Sequence, residues 1–151
     1  VKNDSAERIA ELASGKGLRV AVAESLTSGQ LAGALGAASG ASEWFSGGVV
    51  AYSSSVKFDV LHVEPGPVVS ARCAAQMAEG VIRLLAADVA VAVTGAGGPD
   101  PQDDQPPGTV FISVRNPEGD STTEHHFEGD PEQVVQQTVE TALELLERSF
   151  D

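Results

Sequence analysis

The sequence predicts a single-domain α/β fold: a mixed β-sheet flanked by helices on both faces, in a three-layer α/β/α arrangement. Three observations carry this. The short apolar runs LRVAVAE and DVAVAVTG, rich in β-branched residues, have the composition of strands buried on both faces. Stretches of helical periodicity interleave with them, ARCAAQMAEGVIRLLAA most strongly. Near the C-terminus the pattern changes: TVFISVRN and STTEHHFEG flank the turn NPEGD and read as an antiparallel hairpin. Interleaved helices and strands give parallel neighbours, and the hairpin makes the sheet mixed.

Each element has its own signal. Asp4 or Ser5 is suited to cap a first helix of about ten residues, closed by Gly15 and Gly17. The strand Leu18 to Glu24 follows, then a helix from Thr27 to Ala38 whose Ala and Gly content favours close packing on the sheet. The loop SGASEWFSGG leads to a second strand, VVAYSS, from Val49, and a short helical stretch over Val56 to Leu61 ends before the turn-rich EPGP. Ser70 opens the next helix, with Cys73, Met77, Val81 and Leu84 spaced to share one face. After the glycine-rich end of DVAVAVTG, the biased segment GGPDPQDDQPPG reads as a surface loop, flexible by default. Asp130 caps the last helix, Pro131 to Arg148, with proline at its favoured first position.

The 151 residues suffice for one core, and a 42% hydrophobic content is that of a globular chain. A net charge of −13, with nine scattered basic residues, argues against a nucleic-acid surface, which needs clustered Lys and Arg. No apolar run approaches the ~18 residues of a membrane span, and the N-terminus lacks a signal-peptide layout. A single cysteine permits no internal disulfide, so a reducing cytoplasm is the expected setting.

Open α/β sheets place their sites at strand ends facing a crevice, and three segments meet that description. In AESLTSG, Ser25 follows the first strand, where a helix N-terminus favours an oxyanion or phosphate; an ordinary helix cap is the competing reading. In AYSSSVK, Lys57 can act as a base for a serine if desolvation lowers its pKa, and Tyr52 can donate a hydrogen bond. A solvated lysine and a half-buried tyrosine are the bland alternative. In TGAGGP, glycines after Thr94 let backbone N–H groups approach a ligand, although no Walker motif is present.

Other constellations fail. His125 and His126 are strand neighbours on opposite faces, His62 is isolated, and no spacing suggests zinc. Cys73, on an apolar helix face, reads as core. Trp44 and Phe45 are suited to a lid or an oligomer contact, with simple packing favoured.

Together AVAESLTSG, GASEWFSGGVVAYSSSVK, MAEG, VAVTGAGGP, PPGTVFISV and FEGD, in this order, resemble the C-terminal domain of the CinA family. These are the bacterial nicotinamide mononucleotide amidohydrolases also called PncC. The resemblance implies hydrolysis of the nicotinamide mononucleotide carboxamide to nicotinate mononucleotide and ammonia, with no metal or organic cofactor. It implies Ser25 as nucleophile, Lys57 as its base and Tyr52 as an assisting donor. Thr27, Ser28 and Gly29, together with Thr94, Gly95, Ala96, Gly97 and Gly98, are the implied substrate-binding segments. It also implies a stand-alone domain and a homodimer. The chain departs from the family pattern at several points. Leu26 and Ser28 stand where a cysteine and a glycine are usual, Gln136 where the last helix carries arginine, and Gln105, before Pro106-Pro107-Gly108, where a lysine commonly precedes Pro-Val-Gly. Two further readings stay open: a non-catalytic pyridine-nucleotide-binding or partner-binding domain, and a Ser-Lys amidase for an unphosphorylated amide.

Overall fold

The computed structural model describes residues 3–151. In chain order the elements are α1 (Asp4–Lys16), β1 (Val20–Glu24), α2 (Gln30–Gly36), α3 (Ala41–Trp44), β2 (Phe45–Val50) and α4 (Ser54–Asp59). They continue with α5 (Ala71–Leu85), β3 (Val89–Gly95), β4 (Thr109–Asn116), β5 (Gly119–His126) and α6 (Pro131–Arg148). The five strands lie in the order β2-β1-β3-β4-β5. The strand β1 runs parallel to both β2 and β3, whereas β4 and β5 are antiparallel additions. This is the mixed sheet that the sequence predicts.

Alternation along the strands divides the core between two helical layers. Val20 and Val22 of β1, Val91 and Val93 of β3 and Ile112 of β4 pack with Ile9 of α1, Leu31 of α2 and Leu143 of α6. On the other face the smaller Ala21, Ala23, Ala90 and Ala92 meet Cys73, Met77 and Val81 of α5. Leu84, expected on that same face, is 50% exposed near the C-terminal end of α5. No described helix is long and apolar enough to cross a membrane.

Several boundaries differ from expectation for identifiable reasons. The cap of α1 is Asn3, whose side chain accepts from the Ala6 N–H, and only Gly17 ends the helix. The strand β2 begins at Phe45, not Val49, because Gly48 can lie tightly beside β1 and Gly47 takes a φ of 118°. A Cβ on Gly48 would stand 2.5 Å from Cγ2 of Val22 and 2.8 Å from its carbonyl oxygen. Trp44 is therefore core: it is buried, with its ring N–H donated to Ser39 O at 3.1 Å and its ring 5.8 Å from that of Phe45. The helix α4 starts earlier than predicted, at Ser54. The 99–107 loop is pinned. Gln102 and Gln105 bond reciprocally around Asp103 and Asp104, both of positive φ as a tight hairpin turn demands. Asp103 Oδ2 also accepts the N–H groups of Val68 and Val69 at 2.9 and 3.0 Å.

Candidate active site

The site is built around a carboxylate that sequence reasoning passed over. Glu24 ends the buried strand β1 and is itself fully buried. Its Oε1 accepts from Thr27 Oγ1 at 2.6 Å, from Gly29 N at 3.2 Å and from Leu31 N at 2.9 Å. Its Oε2 accepts from Ala32 N at 2.8 Å. The residue preceding α2 is Gly29, which has no side chain to cap with, so Glu24 supplies the anion at that helix end from across the turn. The turn itself passes through left-handed conformations at Ser28 (φ 52°) and Gly29 (φ 101°). That is why α2 begins at Gln30 and not at Thr27.

This arrangement excludes the cap reading of Ser25. It is no helix cap: the Ser25 carbonyl accepts the Ser28 N–H at 3.1 Å, while its hydroxyl has no hydrogen-bond partner among the described residues. The residue is 7% exposed and lines a cavity of about 350 Å³. The expectation that α2 presents its N-terminus to an oxyanion is corrected, because Glu24 already occupies the N–H groups of Gly29, Leu31 and Ala32. The same contacts turn Thr27 and Gly29 inward. Ser28 is exposed, and its hydroxyl makes a long contact, 3.4 Å, with Leu26 O.

Lys57, on α4, is bound to the segment that follows β2. It is 2% exposed, and its Nζ donates to Ala51 O at 2.8 Å and Tyr52 O at 3.3 Å. The Ala51 N–H in turn binds Glu24 O at 2.7 Å, so one residue links the lysine to the strand end that presents Ser25. Burial pushes the Lys57 ammonium below the ordinary lysine range, opposed more weakly by the electrostatic influence of Cys73 and Asp103. Tyr52 is 68% exposed and lines the Ser25 cavity. Cys73 is buried among apolar residues and its thiol is pushed up by that burial, which suits packing and not nucleophilic attack.

The loop after β3 forms the opposite wall. Gly95, Gly97 and Gly98 line the cavity with Leu26, Asp100 and Gln102. Ala96 is buried, held by its N–H to Thr109 O at 2.9 Å and by the Gly108 N–H to its own carbonyl at 2.7 Å. Thr94 does not reach the cavity: its hydroxyl donates to Val68 O at 2.7 Å and anchors the strand to the segment before α5. Gln136 likewise lies outside. It faces an adjoining cavity with Gln30 and Glu132, while Pro131 and Val135 border both spaces.

The structure therefore brings Ser25, Tyr52, Gly95, Gly97 and Gly98 to one cavity, holds Lys57 on the carbonyls of Ala51 and Tyr52 outside its lining, and leaves Thr27, Gly29, Thr94 and Gln136 in supporting or peripheral places. Glu24 had a sequence signal, since a lone acid ending an apolar strand must have partners. Asp100, Gln102 and Val135 had none, because only the tertiary fold brings them to the cavity. A second cavity, about 390 Å³, lies at the far end of the sheet between the β4–β5 hairpin and the end of α6, remote from these groups. His125 stacks on Phe127 with ring centroids 5.4 Å apart, and His126 bonds Glu124 at 2.6 Å. No cluster able to hold a metal exists among the described residues.

Comparison with known proteins places this geometry in context. The CinA C-terminal domain family matches residues 2–150. A CinA-like protein of Frankia casuarinae is 42% identical over 134 residues, covering 85% of this chain and 31% of the relative. One from Geobacter metallireducens is 38% identical over 146 residues, covering 93% of this chain and 35% of the relative. The chain thus spans about a third of the length of these curated relatives. Among solved structures, a CinA superfamily protein from Klebsiella pneumoniae matches with a TM-score of 0.92 at 33% identity, covering 97% of this chain and 96% of that one. A competence/damage inducible protein from Agrobacterium tumefaciens matches with a TM-score of 0.87 at 31% identity, covering 99% and 98% of the two chains.

Proposed function

The chain belongs to the CinA C-terminal domain family, and on that premise we propose that it is an amidohydrolase. Its substrate is the carboxamide of a pyridine nucleotide, nicotinamide mononucleotide being the compound that the family resemblance implies. The observation that carries this reading is a cavity-lining serine whose hydroxyl has no partner, on a turn linked through Ala51 to a buried lysine whose nitrogen contacts two carbonyl oxygens.

The hydrogen-bond count favours a base. A neutral amine has two N–H donors and one lone pair. Ala51 O and Tyr52 O accept the two hydrogens, which leaves the lone pair to take the Ser25 proton. Desolvation, which lowers the Lys57 pKa, increases the neutral fraction. Attack of Ser25 Oγ on the amide carbon gives a tetrahedral oxyanion, for which the backbone N–H groups of Gly97 and Gly98 are the available donors. The proton held on Lys57 passes to the departing nitrogen, ammonia leaves, and water then hydrolyses the acyl-serine to release the carboxylate and regenerate Ser25.

The test is ammonia release from nicotinamide mononucleotide. Ser25→Ala abolishes it, and Lys57→Ala lowers kcat by roughly 10²–10⁴, the usual contribution of a general base. Turnover that survives Ser25→Ala refutes the assignment.

A further inference from the structure

The chain from Thr94 to Asp103 forms an arch whose two feet rest on one short segment, Val68 and Val69, just before α5. At the first foot the Thr94 hydroxyl donates to Val68 O at 2.7 Å. At the second, Asp103 Oδ2 accepts the N–H groups of Val68 and Val69 at 2.9 and 3.0 Å. Both valines are buried, so the anchor itself is fixed. The span between the feet carries Gly95, Gly97, Gly98, Asp100, Pro101 and Gln102, more than half of the residues that line the Ser25 cavity.

The two feet are not equally secure. Beside the first, Gly95 pairs with Val110 at the end of β3, and Ala96 is bonded to Thr109 O and by the Gly108 N–H. Beyond it, Gly97 to Pro101 make no hydrogen bond to any other described residue. The tip closes only on itself, with Gln102 and Gln105 bonded to each other. From Gly97 to Gln105, the Asp103 carboxylate is therefore the one hydrogen-bonded tie to the body of the protein among the described residues. Pro99 and Pro101 restrict the span, so the far foot and the glycines do not move independently.

The N–H groups of Gly97 and Gly98 are unpaired, and glycine has the widest backbone freedom of any residue. Such donors stabilise a developing oxyanion only when they are held in place beforehand. We propose that Asp103 is the positioning residue that does this, latching the arch onto Val68 and Val69 and so holding the Gly97 and Gly98 N–H groups at the cavity. Its effect on rate rests on the amidohydrolase reading; the latch does not. Asp103 is not among the residues that line the cavity, so it acts through the wall and not on the substrate.

Asp103→Ala and Asp103→Asn separate the latch from the charge. One oxygen accepts both N–H groups and the other has no partner among the described residues, so asparagine keeps the latch with weaker, neutral bonds. Alanine removes it. In Asp103→Ala, NMR relaxation is expected to show the Gly97 and Gly98 amides falling from order parameters of about 0.85 to below about 0.6. Amide exchange speeds up at Val68 and Val69 and is unchanged in the sheet. Ammonia release from nicotinamide mononucleotide is read at a pH above the Lys57 titration, where the electrostatic influence of Asp103 on that residue does not enter. There kcat falls about tenfold or more while KM changes by less than about threefold, since displaced groups cost rate. Asp103→Asn recovers most of the order and the rate. Glycines already mobile in the unsubstituted protein, glycines still rigid in Asp103→Ala, an undiminished kcat or a change in KM alone overturns the proposal. So does faster exchange throughout the sheet, or an Asp103→Asn protein no better than Asp103→Ala. An unsubstituted protein that releases no ammonia refutes the hydrolase reading, and the order parameters and exchange rates then decide the latch by themselves.

Discussion

Replacing Glu24 by glutamine isolates the contribution of its charge with almost no change of shape. The carboxylate accepts three hydrogen bonds on Oε1 and one on Oε2. The glutamine oxygen can keep the three that converge on Oε1, but its NH₂ then faces the Ala32 N–H, donor against donor. Bonds to a charged acceptor contribute about 1.5–3 kcal/mol and neutral ones about 0.5–1.5, so each of the three retained bonds weakens by roughly 1 kcal/mol. The orphaned Ala32 N–H adds a penalty of about 1–3 kcal/mol. Allowing for non-additivity within one network, the expected loss is about 3–5 kcal/mol, a large part of the roughly 5–15 kcal/mol that holds such a domain. At about 2–4 °C per kcal/mol for a chain of this size, Tm falls by on the order of 10 °C. Urea unfolding of Glu24→Gln, with the m-value checked for constancy, gives the free energy directly. A loss below about 0.5 kcal/mol, the range of an ordinary surface substitution, would refute the view that this carboxylate organises the Ser25–Ala32 turn.

Two further outcomes follow from the same geometry. Because burial lowers the Lys57 pKa, kcat/KM is expected to rise with pH through that lowered value, and the rising limb vanishes in Lys57→Ala. Stability has the same sign. Between the folded and unfolded pKa values the unfolded chain binds more protons, so unfolding free energy climbs with pH across that window, as denaturant titration at several pH values will read. A profile that falls with pH there contradicts the assignment. Gly48→Ala forces a Cβ against the Val22 side chain and carbonyl and should cost about 1–3 kcal/mol. The shift of β2 would also loosen the Ala51 N–H bond to Glu24 O, seen as faster amide exchange at Ala51.

The layers of the fold were legible because the strands β1 and β3 are apolar up to Glu24 and Thr94 at their ends and α5 keeps a helical period, signals that survive without tertiary information. Boundaries failed where a distant group decides them. Nothing local announces that β2 starts at Phe45, since the reason is the fit of Gly48 against Val22 on another strand. Nor does local propensity end the turn at Gln30, because Glu24 sets that limit from the preceding strand. The site divides in the same way. Ser25, Tyr52 and Lys57 were readable as residue types near strand ends. Thr94 stands outside the cavity lining because its buried hydroxyl finds a backbone partner, Val68 O, which its place after an apolar strand does not announce.

The juxtaposition of Glu24 and Ser25 shows how two demands on one turn are kept apart. A nucleophile needs a hydroxyl free of internal partners, yet a turn with left-handed residues at Ser28 and Gly29 needs strong internal bonds to persist. One side chain cannot meet both needs. Here the carboxylate of Glu24 takes the bonding from the Gly29, Leu31 and Ala32 N–H groups, and the adjacent Ser25 hydroxyl is left facing the cavity. The Glu24 backbone carbonyl, bound by Ala51 N–H, fixes the same point to the chain that positions Lys57. Glu24 thus ties the serine turn through its side chain and the lysine segment through its backbone, which on the proposed amidohydrolase reading is a positioning and not a catalytic role. Its replacement should disturb the Ser25–Lys57 relation, and hence kcat, more than substrate binding.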